Sequence, residues 1–358
     1  MEFSFLEKRR NKSHNFMNIL FVTRNYLPRY GGIELLVYNL CFYLQKKRQV
    51  PIVWNFSRAE PIQSEWDVIF SDRKHQKWKT LLQLLQVLKK RPQRIVMVEP
   101  QRTELGYVFL MSLLTWQRPY LLLVGTKTEI QHPFIRLLCA LLSKKILALS
   151  KYCKTAFRFA PRKVEIVYAG FTPQSVKVEK KKNVLSVCRI DRRKNIEALF
   201  EVEKILRERD FVLEFVIVGE IQDPDYFNSL KRKYTLADKS NIRFVGRTDP
   251  TTLWKYYSSS YLFFLPSLHE MFGIVLAEAM YAGLPCVTSR VSAIPEVVPP
   301  TCGFLTRPDD YQGMADYIQK LYNTPQLYQK TAQHCRQHAQ QFVWDRIITR
   351  YLKNLELE

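Results

Sequence analysis

The chain has 358 residues, of which 47% are hydrophobic and 13% aromatic, with only 18 prolines and 11 glycines. This composition excludes a disordered, collagenous or low-complexity protein, and the length favours two domains. The formal net charge of +22 indicates an anionic partner such as nucleic acid, lipid headgroups or a phosphorylated substrate.

The first half of the chain reads as strands that alternate with helices. Residues 1–16 are polar and basic without apolar periodicity, and we expect them to form a disordered extension or to come from an upstream start codon. Helices are predicted from about residue 34, at 78–89 and at 134–143. Short apolar runs predict buried strands at 18–23, 52–56, 67–70, 94–98, 120–124, 146–149 and 164–167.

One of these helices has two interpretations. The simplest view of Trp78, Leu81 and Leu85 is that they form one buried helix face. Because basic residues surround them, they would also suit shallow insertion into a membrane surface.

The second half repeats the alternation, which predicts a second parallel sheet covered by helices. A helix is expected at 196–209, and the tail from about residue 327 is predicted to be helical to the end. Strands are predicted at 183–188, 214–218, 242–245, 261–265 and 285–288. The expected organisation is a first domain at 17–172, a linker at 173–182, a second domain at 183–340 and a helix at 341–358 that returns to the first domain.

Charge and cysteine content bear on the location of the protein. We count 33 basic and 12 acidic residues up to residue 182, and 22 and 21 after it, so the halves carry +21 and +1. The seven cysteines show no C-x-x-C spacing, which argues against a disulfide scaffold or a zinc site. No apolar run reaches the roughly 20 residues of a membrane span. We expect a cytoplasmic protein, held at the inner face of the cytoplasmic membrane by its basic half.

The strongest candidate for chemistry follows the predicted strand at 261–265, where the sequence reads SLHEMFGIVLAEAMYAG. Glu270 lies in the loop, and Gly273 opens a helix that carries Glu278. The free N–H groups of the helix start favour an anion such as a pyrophosphate. One carboxylate would hold ribose hydroxyls and the other sugar hydroxyls. Alternatively, Glu270 is an acid favoured by the helix dipole and Glu278 a solvated surface residue.

Two further places lie just after predicted strands. Arg189 and Lys194 would neutralise a diphosphate leaving group without a metal, although further arginines at 192–193 also allow a solvated basic loop. Gly31 and Gly32 would let the backbone approach donor phosphates or sugar closely, or would simply form a turn from strand to helix.

Several motifs together resemble one protein family. HEMFGIVLAEAMYAGLPCVTS resembles the E-x7-E signature of glycosyltransferase family 4, whose members are retaining nucleotide-sugar transferases. RNYLPRYGG with Glu34 resembles the amino-terminal glycine loop of that family, and SVCRIDRRKN resembles its R-x4-K phosphate segment. FVIVGE and NIRFVGR resemble the strands that line the nucleotide base. The resemblance covers residues 17 to 345, with the motifs in the family's order.

The resemblance implies an α/β protein of GT-B architecture, with two Rossmann-like doubly wound parallel-sheet domains facing across a cleft. It implies retaining transfer of a sugar from a UDP- or GDP-linked donor to an acceptor hydroxyl, with no cofactor and no metal. The implied catalytic residues are Glu270, Arg189 and Lys194. The implied donor-binding residues are Gly31, Gly32, Arg189, Lys194, Arg247, Glu270, Phe272, Gly273, Ile274 and Glu278.

The basic half would bind an anionic membrane surface or a lipid-linked or other anionic glycan acceptor, as in cell-surface polysaccharide synthesis. We expect no nucleic-acid partner, although a nucleic-acid-binding protein that uses the basic half is one alternative. A non-catalytic GT-B scaffold is another. Many family members carry a donor-sugar histidine in the first domain, and the corresponding windows at 97–101 and 124–128 lack one. Glu99 and Lys127 are the candidate replacements.

A metal site is the remaining alternative. Asp223 and Asp225 form the D-x-D pattern of metal-dependent transferases, but their position before Tyr226 predicts a helix cap. His269 adjoins the E-x7-E segment without an assigned role, and the other histidines show no metal-ligand pattern.

Overall fold

The strands of the first half follow the predicted apolar runs closely. The computed structural model describes residues 16–24, 26–27, 31–56, 64–71, 77–125, 132–176, 178–179, 181–234 and 241–358. The predicted extension at 1–16 lies outside these residues, apart from Phe16. The strands of the first sheet are β1 (Asn18–Thr23), β2 (Val50–Asn55), β3 (Asp67–Phe70), β4 (Arg94–Val98), β5 (Tyr120–Leu123), β6 (Ile146–Ala148) and β7 (Val164–Ile166).

These strands form a sheet in the order β3-β2-β1-β4-β5-β6-β7. The central strand β1 pairs in parallel with β2 on one side and β4 on the other. Its residues from Ile19 to Val22 have no exposed surface. Continuous apolar strands of this kind are typical of a parallel sheet that is covered on both faces.

The three predicted helices of the first half begin within two residues of their predicted starts, and a further helix at Arg102–Thr115 was not predicted. Leu84 and Val87 are buried, whereas Leu81 and Leu85 are 49% and 54% exposed. The prediction of one buried face is therefore wrong for Leu81 and Leu85. These two residues lie on a different side of the helix from Leu84 and Val87, which are the buried ones. These helices are α1 (Gly32–Lys46), α2 (Lys77–Lys89), α3 (Arg102–Thr115) and α4 (Pro133–Leu142). The side chain of Trp78 lies outside the described part.

The second half forms a six-stranded sheet in the order β10-β9-β8-β11-β12-β13. Its strands are β8 (Asn183–Val187), β9 (Glu214–Val218), β10 (Ile242–Gly246), β11 (Leu262–Leu265), β12 (Cys286–Ser289) and β13 (Gly303–Thr306). The remaining helices are α5 (Lys151–Lys154), α6 (Ile196–Glu208), α7 (Pro224–Lys233), α8 (Pro250–Ser259), α9 (Ile274–Tyr281), α10 (Ile294–Val297), α11 (Tyr311–Asn323), α12 (Pro325–Ala339) and α13 (Trp344–Leu355).

Two features of this half differ from the prediction. The short strand β13 was not predicted. The tail is also not one continuous helix, because α12 and α13 are separated by a turn at Gln340–Phe342. The Phe171 N–H donates to the Phe342 carbonyl at 3.1 Å, and the Trp344 N–H donates to the Phe171 carbonyl at 3.0 Å. Pairing with Phe171 thus replaces the helical hydrogen bonds at the break.

The chain divides into two compact units. The first contains the described residues up to Leu147, with Arg162–Glu165 and Tyr351–Glu358. The second contains Ala148–Pro161 and Ile166–Arg350. The predicted linker at 173–182 therefore lies within the second unit, and the last eight residues belong to the first. The Arg94 guanidinium donates to the Leu355 carbonyl at 2.8 Å, which attaches this terminal segment to the edge of β4.

Searched over its described residues, the chain has no helix that is both long enough and apolar enough to cross a membrane. The seven cysteines are buried as thiols, in agreement with the prediction that they do not form a disulfide scaffold. Burial raises the pKa of several of them, for example that of Cys188 to about 12.

Candidate active site

Two loops of the second unit bring three polar side chains together. The Lys194 ammonium forms an ion pair with Glu270 Oε1, and the Ser267 hydroxyl donates to the same oxygen at 3.0 Å. The side chains of Lys194 and Glu270 are only 16% and 11% exposed. A charge-assisted hydrogen bond with so little water around it holds both groups in fixed positions. The structure thus joins two predicted site residues and adds Ser267, which the sequence analysis did not single out.

The loop that carries Lys194 is held by its neighbours. Asp191 accepts a hydrogen bond from the Arg193 N–H at 2.9 Å and caps the short turn. The Asn195 side chain donates to the carbonyls of Pro266 and Pro308, both at 3.1 Å. Asn195 therefore ties this loop to the end of β11. It was missed in the sequence, because nothing in its local pattern indicates these distant acceptors.

The position of these loops in the sheet favours a ligand site. β8 leads into β9 and β10 on one side, and β11 leads into β12 and β13 on the other. The strand order therefore reverses between β8 and β11, and ligands of doubly wound sheets bind at the carboxyl ends of the strands at such a reversal. Lys194 follows β8, whereas Ser267 and Glu270 follow β11.

The start of α9 lies next to this cluster in the chain. Gly273 precedes the helix with φ +80°, a left-handed conformation that favours glycine, and a Cβ there would lie 3.0 Å from Leu276 Cδ1. The Phe272 ring is buried, 5.6 Å from the ring of Tyr168 and 5.5 Å from that of Phe342. Phe272 therefore packs with its side chain, and only its backbone is suited to contact a donor. Ile274 is the first residue of α9, where helix N–H groups point away from the helix.

Glu278 lies further along α9 and has a different partner. The hydroxyl of the fully buried Tyr257 donates to Glu278 Oε2 at 2.8 Å. Burial raises the pKa of the Glu278 carboxyl to about 7, and the hydrogen bond from Tyr257 opposes this rise. Glu278 is thus a partly dehydrated acceptor rather than a solvated surface acid. Sequence reasoning missed Tyr257, which comes from α8.

The two predicted arginines follow neighbouring strands of the same sheet. Arg189 is partly exposed just beyond β8, and Arg247 is exposed just beyond β10. At the end of β9, a Cβ on Gly219 would lie 1.8 Å from the Cys188 carbonyl oxygen. Only glycine therefore lets the chain pass this close to the segment that presents Arg189. Both arginines lie at the carboxyl edge that carries Lys194.

The D-x-D pattern acts as a helix cap, as predicted. Asp223 Oδ1 accepts a hydrogen bond from the Tyr226 N–H at 2.9 Å, and Arg192 lies 3.6 Å from Oδ2. No group of three or more histidine, cysteine, aspartate or glutamate side chains that could hold a metal ion occurs within the described ranges. His269 directly precedes Glu270 in the chain, and its Nδ1 lies 2.6 Å from the Ser292 hydroxyl.

The glycine loop of the first unit opens α1. Gly31 is the residue before this helix, and Gly32 is its first residue. The Glu34 carboxylate folds back over Gly31 so closely that a Cβ on Gly31 would meet Oε2 at 2.3 Å. Arg24, which follows β1, forms an ion pair with the buried Glu104. The glycines thus form the start of the helix that follows β1 in the chain, with the Glu34 carboxylate close to Gly31.

Glu99 occupies one of the windows in which the expected histidine is absent. It follows β4 with φ +43°, which is rare for a residue with a side chain, and it is 5% exposed. Burial raises the pKa of its carboxyl to about 7, the nearby Glu34 raises it further, and the N–H groups of Gly125 and Val124 oppose the rise. Lys127, the other candidate, lies outside the described residues.

This raised pKa predicts a pH-dependent stability. Between about pH 4.5 and 7 the unfolded chain loses the Glu99 proton while the folded protein keeps it, so Glu99 makes the fold less stable as pH rises. Glu99→Gln should therefore stabilise the fold more at pH 8 than at pH 5. The difference in the free energy of unfolding should be on the order of 1–3 kcal/mol, and the melting temperature should rise accordingly. Thermal melts at both pH values test this, with exposed Glu65→Gln as the control. A gain that does not change with pH would contradict it.

Comparison with known proteins agrees with the geometry of the second unit. Residues 171–342 match the family model described as glycosyl transferases group 1. N-acetyl-alpha-D-glucosaminyl L-malate synthase from Bacillus anthracis is 31% identical over 150 residues, which cover 41% of this chain and 38% of that protein. An uncharacterized glycosyltransferase of Methanocaldococcus jannaschii is 32% identical over 178 residues, covering 44% and 45%. The matches thus span less than half of these curated relatives.

Solved structures match over nearly the whole chain. Anabaena HepE, solved in complex with UDP and glucose, has a TM-score of 0.77 at 19% identity, covering 96% of this chain and 100% of that chain. WaaG, a glycosyltransferase involved in lipopolysaccharide biosynthesis, has a TM-score of 0.68 at 16% identity, covering 94% and 99%. At these identities the likeness concerns the fold alone. It confirms the predicted GT-B class with two Rossmann-like parallel-sheet domains.

Proposed function

We propose that this protein transfers a sugar from a nucleotide-sugar donor to an acceptor hydroxyl with retention of configuration, because residues 171–342 match the family model described as glycosyl transferases group 1. The observation that carries the proposal is the buried Lys194–Glu270–Ser267 cluster at the strand-order reversal of the second sheet. A diphosphate needs fixed cations in a site of this kind, since preorganised charge stabilises the charge that develops on a leaving group.

Five of the predicted site residues have a definite role in this proposal. Lys194, Arg189 and the backbone at Gly273 bind the diphosphate. Glu270 holds Lys194 in place before the donor binds, and it accepts hydrogen bonds from sugar hydroxyls afterwards. Glu278 accepts hydrogen bonds from the ribose hydroxyls, a role that suits its partly dehydrated carboxylate.

The same arrangement supports transfer without a separate base or a metal. As the glycosidic bond breaks, negative charge develops on the departing phosphate oxygen, and Arg189 and Lys194 stabilise this charge. That oxygen can take the proton of the acceptor hydroxyl, so no dedicated aspartate or glutamate base is needed. Asp223 already caps α7, which argues against its use as a metal ligand.

The comparisons make UDP-sugars the first donors to test. The Anabaena neighbour was solved with UDP and with UDP-glucose. The GDP-linked alternative also stays open, because one relative is named a serotype-specific mannosyltransferase from Escherichia coli. We propose a lipid-linked or membrane-associated glycan as the acceptor, since the first half of the chain carries +21 of the net charge.

A thermal-shift screen tests the donor site. UDP, GDP, ADP and their common sugars should separate into one nucleotide that raises the melting temperature and others that do not, because binding to the folded state stabilises it. Nucleic acid is included in the screen as the ligand that the alternative, nucleic-acid-binding function predicts. Stabilisation by nucleic acid without stabilisation by any nucleotide sugar would contradict the proposal.

Metal independence is a separate expectation. Release of the nucleoside diphosphate from the selected donor should proceed at the same rate in EDTA as in buffer, because the site supplies its own cations. The rate should be measured with and without added manganese. Loss of activity in EDTA that manganese restores would return Asp223 and Asp225 to consideration as ligands.

A further inference from the structure

Three helices of the first unit lie on the same side of its sheet. α2 connects β3 to β4, α3 connects β4 to β5, and α4 connects β5 to β6. All three connections run in the same direction along the sheet order, so right-handed crossovers place the helices on one face. α2 and α3 are also in direct contact. Their outer surface, here called the α2–α4 face, is therefore a single side of the unit.

The α2–α4 face is unusually apolar. Trp116, just after α3, is 95% exposed, and Leu113 and Leu114 before it are 57% and 56% exposed. Large apolar side chains are exposed along all three helices: Leu81, Leu82 and Leu85 on α2, Phe109 and Leu110 on α3, and Phe134, Leu137 and Leu141 on α4. Single exposed leucines are ordinary, but a set of this size marks a surface that binds something.

The charge of the same face narrows the choice of partner. The three helices contain only one acidic residue, Glu104, and it is buried and paired with Arg24. Exposed cations accompany the apolar residues, with Lys89 and Arg91 at the end of α2 and Arg118 before β5, whereas Lys144 after α4 is paired with Glu356. Apolar side chains beside cations, with no exposed acid on the three helices themselves, fit the interface of an anionic bilayer, where acyl chains and headgroups meet.

We propose that the α2–α4 face docks onto an anionic lipid surface, with Trp116 and the leucines of α3 and α4 inserted at the level of the headgroups. Tryptophan favours this depth because its ring is apolar and its N–H is polar. The inference rests on the proposed transfer to a membrane-linked acceptor, and it adds the surface by which the protein reaches that acceptor.

Vesicle co-sedimentation of the full chain tests the proposal. The vesicles are phosphatidylcholine alone or an equal mixture of phosphatidylcholine and phosphatidylglycerol. The double variant Leu113→Glu/Leu114→Glu places acids on the face without disturbing buried residues. The matched control is Val212→Glu, because Val212 is an equally exposed apolar residue of the second unit, at 62%.

Wild type should bind the anionic vesicles and not the neutral ones, with binding that weakens as salt rises. The double variant should bind at least tenfold more weakly, and Val212→Glu should bind like wild type. Quenching of tryptophan fluorescence by brominated lipids should be reduced in Trp116→Phe. Thermal melts and UDP binding of the same samples show that each variant is folded and that its donor site is intact.

Three outcomes would overturn the proposal. The first is equal vesicle binding by wild type and the double variant, and the second is no binding by wild type. The third is a wild-type dimer in light scattering that the double variant lacks, which would make the α2–α4 face a contact between two copies. If UDP binding persists in these cases, only the docking surface fails and the proposed transferase function stands.

Discussion

Lys194→Ala should lower turnover about a hundredfold or more, the loss that is typical when one preorganised group that stabilises the transition state is removed. Lys194 is paired with Glu270 in a largely buried cluster, so we expect no other cation of the chain to take its place when it is removed. The measurement is the steady-state rate of nucleoside diphosphate release from the selected donor. Arg192→Ala is the matched control, because Arg192 is in the same turn and its side chain is 69% exposed.

The structure also changes the expected effect of this variant on stability. A solvated basic loop, the alternative given for this segment in the sequence analysis, would leave the fold unaffected by the loss of one cation. Lys194 is instead largely buried, and its removal leaves Glu270 with only Ser267 among the contacts described above. We therefore expect a modest loss of stability, on the order of 1–2 kcal/mol, since the pair is partly exposed. A Lys194→Ala enzyme that melts normally and turns over at the wild-type rate would contradict the assignment.

Glu278→Ala should weaken the binding of the intact nucleotide sugar at least tenfold. A hydrogen bond to a charged group contributes about 1.5–3 kcal/mol, and Glu278 is proposed to accept from the ribose hydroxyls. Competition by inorganic pyrophosphate, which has no ribose, should be unchanged in Glu278→Ala and weakened in Lys194→Ala. Titration calorimetry with both ligands separates the two roles.

Tyr257→Phe provides the control for this variant. It removes only the 2.8 Å hydrogen bond to Glu278 and leaves the carboxylate in place. We expect a smaller loss of donor affinity than in Glu278→Ala. Equal losses in both variants, for the nucleotide sugar and for pyrophosphate alike, would mean that Glu278 serves the packing of α9 rather than the ribose.

Most of the fold could be predicted because parallel strands have a strong local signal. The apolar runs of β1, β3, β4 and β9 coincide with the predicted strands, since a strand buried on both faces needs continuous apolar residues. The short strand β13 and the break between α12 and α13 could not be predicted in the same way. The break depends on pairing with Phe171, far away in the sequence.

The candidate site likewise contains residues that a local pattern indicates and residues that only tertiary contacts reveal. Arg189, Lys194, Glu270 and Glu278 could be found because each follows a strand or lies in a recognisable motif. Their partners Ser267, Asn195 and Tyr257 depend on tertiary contacts that no local spacing encodes. The raised pKa of Glu278 likewise follows from burial, which the sequence alone does not reveal.

The exposed apolar residues of α2 show the limit of pattern analysis most directly. Leu81, Leu84, Leu85 and Val87 are all apolar, so the sequence does not say which stripe of the helix packs on the sheet. The structure buries Leu84 and Val87 and leaves the other two exposed. A helix that is apolar on two faces packs within its own unit through one face, and its other face stays exposed for the proposed partner.

In the proposed function, the second unit binds a nucleoside diphosphate sugar through Lys194 and Glu278. Titration calorimetry of wild type and of the Lys194→Ala/Glu278→Ala double variant, with the nucleotide sugar selected in the screen, tests it most directly. We expect saturable binding to wild type without added metal, and a loss of affinity of at least a hundredfold in a double variant that still melts cooperatively. Equal affinity in the two proteins, or no nucleotide-sugar binding by wild type, would contradict it.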